Sequence, residues 1–218
     1  DALASASEKQ KALAEVKSKI EKNQRELSNF ESSMQNADAQ LAGPIATLTQ
    51  RKQEFEKEYA VCTEVFIAVT IAMGANDCTK SQVDVNQYRF LLAVSCSNYT
   101  AVLNELPLDE CNTLNIADAL VTQKLSLLNA QKQEIDSTLG SLQSMRSTIQ
   151  TSKGSVANLQ GTLDSLKSVD TGTGVDTGKL SDAIKQIESS EKNLASNLDF
   201  APINIGNQTL DIIAKSVL

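Results

Sequence analysis

LNIADALVTQKLSLLNAQKQEIDSTLGSLQSMRSTIQTSKGSVANLQGTLDSLKSV, residues 114–169, decides the fold of this chain. Within it Leu114, Val121, Leu128, Ile135, Leu142, Ile149, Val156 and Leu163 recur every seven residues without a miss. Such a ladder keeps one stripe of a helix against a partner helix along its whole length. No proline interrupts the run. As one helix it would measure roughly 85 Å at 1.5 Å per residue. The stretch therefore predicts an all-α protein: an elongated antiparallel helical hairpin or three-helix bundle.

A matching arm precedes it. Over residues 3–42, Leu13, Val16, Ile20, Asn23, Leu27, Phe30, Met34, Ala37 and Leu41 alternate three and four apart, the spacing of a coiled-coil seam. Asn23 is the one polar member and reads as a register-setting residue. Gly43-Pro44 interrupts the pattern, since proline cannot donate to the preceding turn. The spacing resumes at Ile45, Leu48, Lys52, Phe55, Tyr59, Cys62, Phe66, Val69 and Met73. A kink followed by a helix over 45–73 is expected, with a full reversal as the alternative.

The middle differs from the arms. Residues 61–118 carry two basic and seven acidic groups, whereas 1–60 and 119–218 each carry nine and ten. All four cysteines, Cys62, Cys78, Cys96 and Cys111, lie there. Histidine is absent and no two cysteines are close in sequence, which argues against zinc. Two disulfides, and so an extracellular or cell-surface protein, are expected. A nested pairing (62–111, 78–96) is preferred, with the sequential pairing (62–78, 96–111) a rival. Straight antiparallel helices over 45–73 and 81–106 would instead set Cys62 level with Cys96. Residues 65–74, apolar on nearly every face, are expected to be buried core. A loop at 75–80 leads to a return helix, Ser81 to about Leu106, ended by Pro107. Asp109 is placed to cap the long helix.

The organisation expected is one elongated domain, 1–218: arm 3–62, head 62–111, arm 112–169, linker 170–178, third helix 179–199 with Leu180, Ile184, Ile187, Leu194 and Leu198 inward, and a C-terminal helical segment 207–218 capped by Asn207. No apolar run approaches the roughly 20 residues of a membrane span. Membrane attachment is expected only through an anchor not present in this chain.

No catalytic, cofactor-binding or metal-binding residue is expected. Asp-Thr-Gly occurs at 170–172 and 176–178, the triplet of aspartic proteases, but those triplets lie far apart in sequence on separate β-lobes. The same aspartates lack the loop pattern of an EF-hand. Without histidine, no serine or cysteine has the usual base. No basic patch points to nucleic acid. Asn98 and Asn207 open Asn-x-Thr triplets and are glycosylation candidates. The acids Asp77, Asp84, Glu105, Asp109 and Glu110 are candidate contacts for a protein partner or host factor at the head.

In architecture alone, the expected arrangement resembles the elongated helical-hairpin coat proteins of parasitic protozoa. Charge and cysteine placement point to a monomeric, non-enzymatic, secreted or surface protein, serving as a structural coat, antigen or interaction module. An α-helical pore-forming toxin, or a component of one, is the alternative.

Overall fold

A computed structural model describes residues 2–167 and 177–197; among them there is no strand. Two long helices, α1 (Ala2–Ala75) and α3 (Glu110–Lys167), supply most of the chain. Between them lie two 3-10 segments, Val85–Ala93 and Cys96–Asn98, and a short helix α2 (Tyr99–Leu103). Helix α4 (Thr177–Asn197) follows α3. The all-α class is as the ladder predicts, and α4 begins two residues before the expected third helix and is described to Asn197, so that Leu198 and the side chain of Leu194 lie outside the described residues. The expected linker is described only from Thr177 on, and the C-terminal segment lies outside the described residues.

The chain divides into two compact units, and both long helices contribute to each. The described part of the first comprises 2–43, 142–167 and 177–197. Here α1 and α3 run antiparallel: Gln24 Nε2 donates to Asp164 Oδ1 at 3.0 Å, and Arg146 Nε to Asp38 Oδ1 at 2.9 Å. The seam is built as the spacing requires. Ile20, Leu27, Met34 and Leu41 are buried on α1, and Leu142, Ile149, Val156 and Leu163 on α3. α4 buries Leu180, Ile184 and Ile187, one stripe at helical spacing.

The second unit comprises, among the described residues, 44–141. Cross-helix ion pairs again show antiparallel α1 and α3, Lys52 to Asp136 at 2.6 Å and Lys132 to Glu56 at 3.7 Å. Lys52, the polar interruption in the α1 spacing, thus reaches a carboxylate on α3. Three of the ladder residues here, Val121, Leu128 and Ile135, are buried, while Leu114 is half-buried against the head core.

Pro44 sits inside α1, and the helix passes through it without reversal. Proline in a helix interior costs about 3 kcal/mol through a lost hydrogen bond and a steric clash. Burial supplies the compensation. Leu41 and Leu48 flank the site seven residues apart, at 2% and 0% exposure, and each buried leucine contributes about 2 kcal/mol.

Helix α1 ends in a Schellman motif. Cys78 N–H donates to Met73 O at 2.9 Å and Asp77 N–H to Gly74 O at 3.4 Å, with Asp77 in the left-handed region at φ 50°. Asp109 caps α3 as expected, its Oδ1 accepting from Asn112 N–H at 2.8 Å.

Three expectations about the middle are corrected. Residues 81–106 do not form a return helix; Val94 and Ser95 are extended and Tyr88 is non-helical. The reason lies in which groups satisfy the backbone: the Cys96 N–H is taken by Glu58 and the Val94 carbonyl by Lys124. Residues 65–74 are not buried all round. Val69 and Met73 face the core, whereas Ile67 is 53% and Ile71 66% exposed. Finally, α1 does contain an 18-residue window apolar enough, by length and composition, to cross a membrane, and only 17% of it is buried.

Candidate functional site

The head is assembled around two interlaced disulfides, Cys62–Cys96 and Cys78–Cys111, with Cα separations of 5.1 and 5.3 Å. This replaces both the nested and the sequential pairing. Cys78 follows the C-terminus of α1, beside Cys111 in the first turn of α3. From there the chain runs back along α1 to Cys96, level with Cys62. Cys62 stands 13 residues before Ala75, about 20 Å at 1.5 Å per residue, and so is out of reach of Cys111. One disulfide thus ties the head to α1 at Cys62, and the other joins the loop after α1 to the start of α3.

Beside the Cys62–Cys96 disulfide lies a partly buried polar cluster. Glu58 Oε1 accepts from Cys96 N–H at 2.9 Å and pairs with Lys124 Nζ at 3.2 Å; Oε2 accepts from Ser95 Oγ at 3.0 Å. Lys124 Nζ also donates to the Val94 carbonyl and stands 5.7 Å from the centroid of the Tyr99 ring. Lys124 is 8% exposed and Tyr99 fully buried. Burial pushes the Glu58 carboxyl up, but the Cys96 N–H, the Ser95 hydroxyl and the Lys124 ammonium together outweigh it and hold the group below its ordinary value. Burial, and then the Glu58 charge, push the Tyr99 hydroxyl well above its ordinary value. Its oxygen has no hydrogen-bond partner among the described residues.

A second cluster pins the loop after α1. Asn115 Oδ1 accepts from Ser81 N–H at 2.8 Å, and its Nδ2 donates to the carbonyls of Cys111 at 2.9 Å and Thr79 at 3.2 Å. Lys80 pairs with buried Asp118 at 2.6 Å. Lys124, Asn115 and Asp118 were missed by sequence reasoning. The available signal was a lysine three residues after Val121, on the inward stripe of the ladder.

The polar groups of these clusters are engaged with backbone and with one another. Glu58 and the sulfurs of Cys62 and Cys96 do lie within 4.8 Å of one another. The sulfurs are bonded to each other, however, and offer no thiolate. Glu58 is already occupied by three donors.

The five candidate acids are all exposed, and four have local structural partners or positions. Asp77 is the turn residue after α1. Asp84 accepts from Asn86 N–H at 3.1 Å and caps the first 3-10 segment. Asp109 caps α3, and Glu110 accepts from Asn76 Nδ2 at 3.2 Å. Glu105 lies in the turn after α2. Asn98 is exposed immediately before α2, and Asn207 lies outside the described residues.

The same unit displays apolar surface. Ile67 and Ile71 stand one turn apart on α1, with Phe90 at 65% exposure and Tyr59, Leu108 and Leu127 also exposed. Oxidised cysteines fit an oxidising compartment. Compared with models of protein families, with curated proteins and with solved structures, the chain matches none.

Proposed function

We propose that this is a secreted or surface-displayed, non-enzymatic helical protein that acts through the unit at 44–141, as a coat component, antigen or interaction module. The observation that carries this reading is the exposure of Ile67, Ile71 and Phe90 on a unit stapled by two disulfides. Large side chains left in water on a covalently rigidified scaffold fit recognition of another macromolecule. The acids Asp77, Asp84, Glu105, Asp109 and Glu110 would set charge selectivity at its margins. Glycosylation at Asn98 belongs to the same reading.

Ile67→Ser, Ile71→Ser and Phe90→Ser together should abolish capture of host or tissue proteins while far-ultraviolet circular dichroism is unchanged. Reversing the five acids to lysine should lower the on-rate for the same partner. Retained capture by both variants would end the proposal.

A pore-forming role is the second reading, favoured by the apolar, mostly unburied window of α1. Leakage of dye from neutral-lipid vesicles, compared with and without reductant, decides between the two. Leakage at nanomolar protein would displace the first reading.

A further inference from the structure

In the other unit, α1 and α4 enclose a groove of about 490 Å³ lined by Asn23, Glu26, Phe30, Glu188 and Glu191, with Lys22 and Lys192 also on its walls. Two of these side chains are almost sealed from water, Asn23 at 1% and Glu191 at 6% exposure. Each has an atom with no hydrogen-bond partner among the described residues, Asn23 Nδ2 and Glu191 Oε1. An unmet buried polar atom destabilises the fold that holds it. Register setting accounts for a polar Asn23 in the seam, but not for a buried carboxylate at Glu191, where a seam made only for stability would have an apolar side chain.

We propose that this groove binds a primary alkylammonium ion, its three N–H donors taken by Glu191, Glu26 and Asn23 and its alkyl chain laid along Phe30. The inference is independent of the role assigned to the head. As it stands Asn23 Nδ2 is an unmet donor and Glu191 Oε1 an unmet acceptor; on ligand entry a half-turn of the Asn23 amide would bring its carbonyl oxygen to the place of Nδ2 and give the cation a second acceptor. Three carboxylates against two lysines favour a cation over an anion. A bare metal ion suits the groove less well. It needs oxygens converging at 2.0–2.6 Å, and the one convergence of such donors among the described residues is at Glu58, not here. An ammonium carries its own hydrogens and tolerates acceptors spread more widely.

The charged neighbours make binding proton-linked. Burial first, then Glu26 and Glu188, raise the Glu191 carboxyl to about 7, with Lys22 opposing. Lys22 is itself 3.6 Å from Glu26, and Lys192 completes the wall from α4. From α3, Asp164 at this level is bonded to Gln24. In acid a proton on Glu191 relieves the repulsion; above neutrality the ammonium takes its place. Affinity should therefore rise about tenfold from pH 6 to pH 8.

Calorimetric titration of the full chain with n-butylammonium tests this at constant ionic strength. Saturable binding at pH 8, about tenfold weaker at pH 6, at least fivefold weaker in Asn23→Leu and lost in Glu191→Gln is expected. Tetramethylammonium, which has no N–H, and Mg²⁺ should not compete. Absence of saturable binding at pH 8, equal affinity at the two pH values, or equal competition by either control cation overturns the proposal. Should Glu191→Gln lose helical circular dichroism, the carboxyl carbon resonance of Glu191 in the unaltered protein decides instead. Butylammonium must lower its titration midpoint, and an unmoved midpoint refutes the site.

Discussion

Glu58 and Lys124 show what one misplaced-looking residue can do. A lysine on the buried stripe of a heptad ladder is costly until its charge is met. Here it meets Glu58, the Val94 carbonyl and the face of Tyr99. Lys124→Met should therefore destabilise the protein by about 2–3 kcal/mol in urea unfolding. That is less than a fully sealed pair would lose, because the Glu58 side chain keeps 24% exposure. The Glu58→Gln, Lys124→Met double variant should lose less than the two singles combined. Sign and pH follow from the Glu58 carboxyl, which is held below its ordinary value. Its stabilising contribution is complete above the unfolded carboxylate value of about 4.3 and is lost as pH falls through the lower folded value. Urea midpoints between pH 6 and pH 2 should thus fall less steeply in Glu58→Gln. Asp77 makes the opposite case. At φ 50° it holds a position that glycine adopts at no steric cost. Asp77→Gly should raise stability by about 0.5–1 kcal/mol on the same measurement, the unfolded chain's gain in freedom offsetting the rest.

At the scale of elements, α3 carries Gly140, Gly154 and Gly161 on exposed helical positions, where an added Cβ meets nothing within 4 Å. Replacing all three with alanine should raise the urea midpoint by the equivalent of about 2 kcal/mol. Helix α4 should respond to pH in the reverse sense to the head. The folded-state value of Glu191 is raised from 4.5 to about 7. Docking of α4 is then strongest below 4.5, weakens as the unfolded form ionises ahead of the folded one, and reaches its minimum above 7. Amide hydrogen exchange in 177–197 should accelerate from pH 6 to pH 8 beyond the intrinsic base-catalysed increase. Glu191→Gln should abolish that excess.

For the whole molecule, the disulfides are the strongest single constraint outside the helices. They join residues 34 and 33 apart, loops worth about 4 kcal/mol each in the chain-entropy account. Because the loops interlace, the two contributions are not additive. Accessibility separates them: Cys62 and Cys96 are fully buried, Cys78 and Cys111 only partly. Mild reductant followed by alkylation and peptide mass mapping should label Cys78 and Cys111 first. Cys62 and Cys96 should react only once the head unfolds.

Periodicity alone determined the helices that pack along a seam. Val121 to Leu163 recur at a spacing that only a helix can bury, and every member of that series is buried. The cap at Asp109 and the helix near 179–199 were legible for the same reason, since local hydrogen bonding and local spacing are written in neighbouring residues. The head was not. Its strand-like break at Val94-Ser95 exists because Glu58 and Lys124, dozens of residues away, take the backbone groups a helix would have used. The cystine partners likewise depend on how far each cysteine stands from a helix end in space. The exposure of Ile67 and Ile71, and the unmet atoms of Asn23 and Glu191, depend on which neighbours arrive. Short-range spacing selects an element; only long-range packing selects its partners, and the candidate sites of this protein are made of partners.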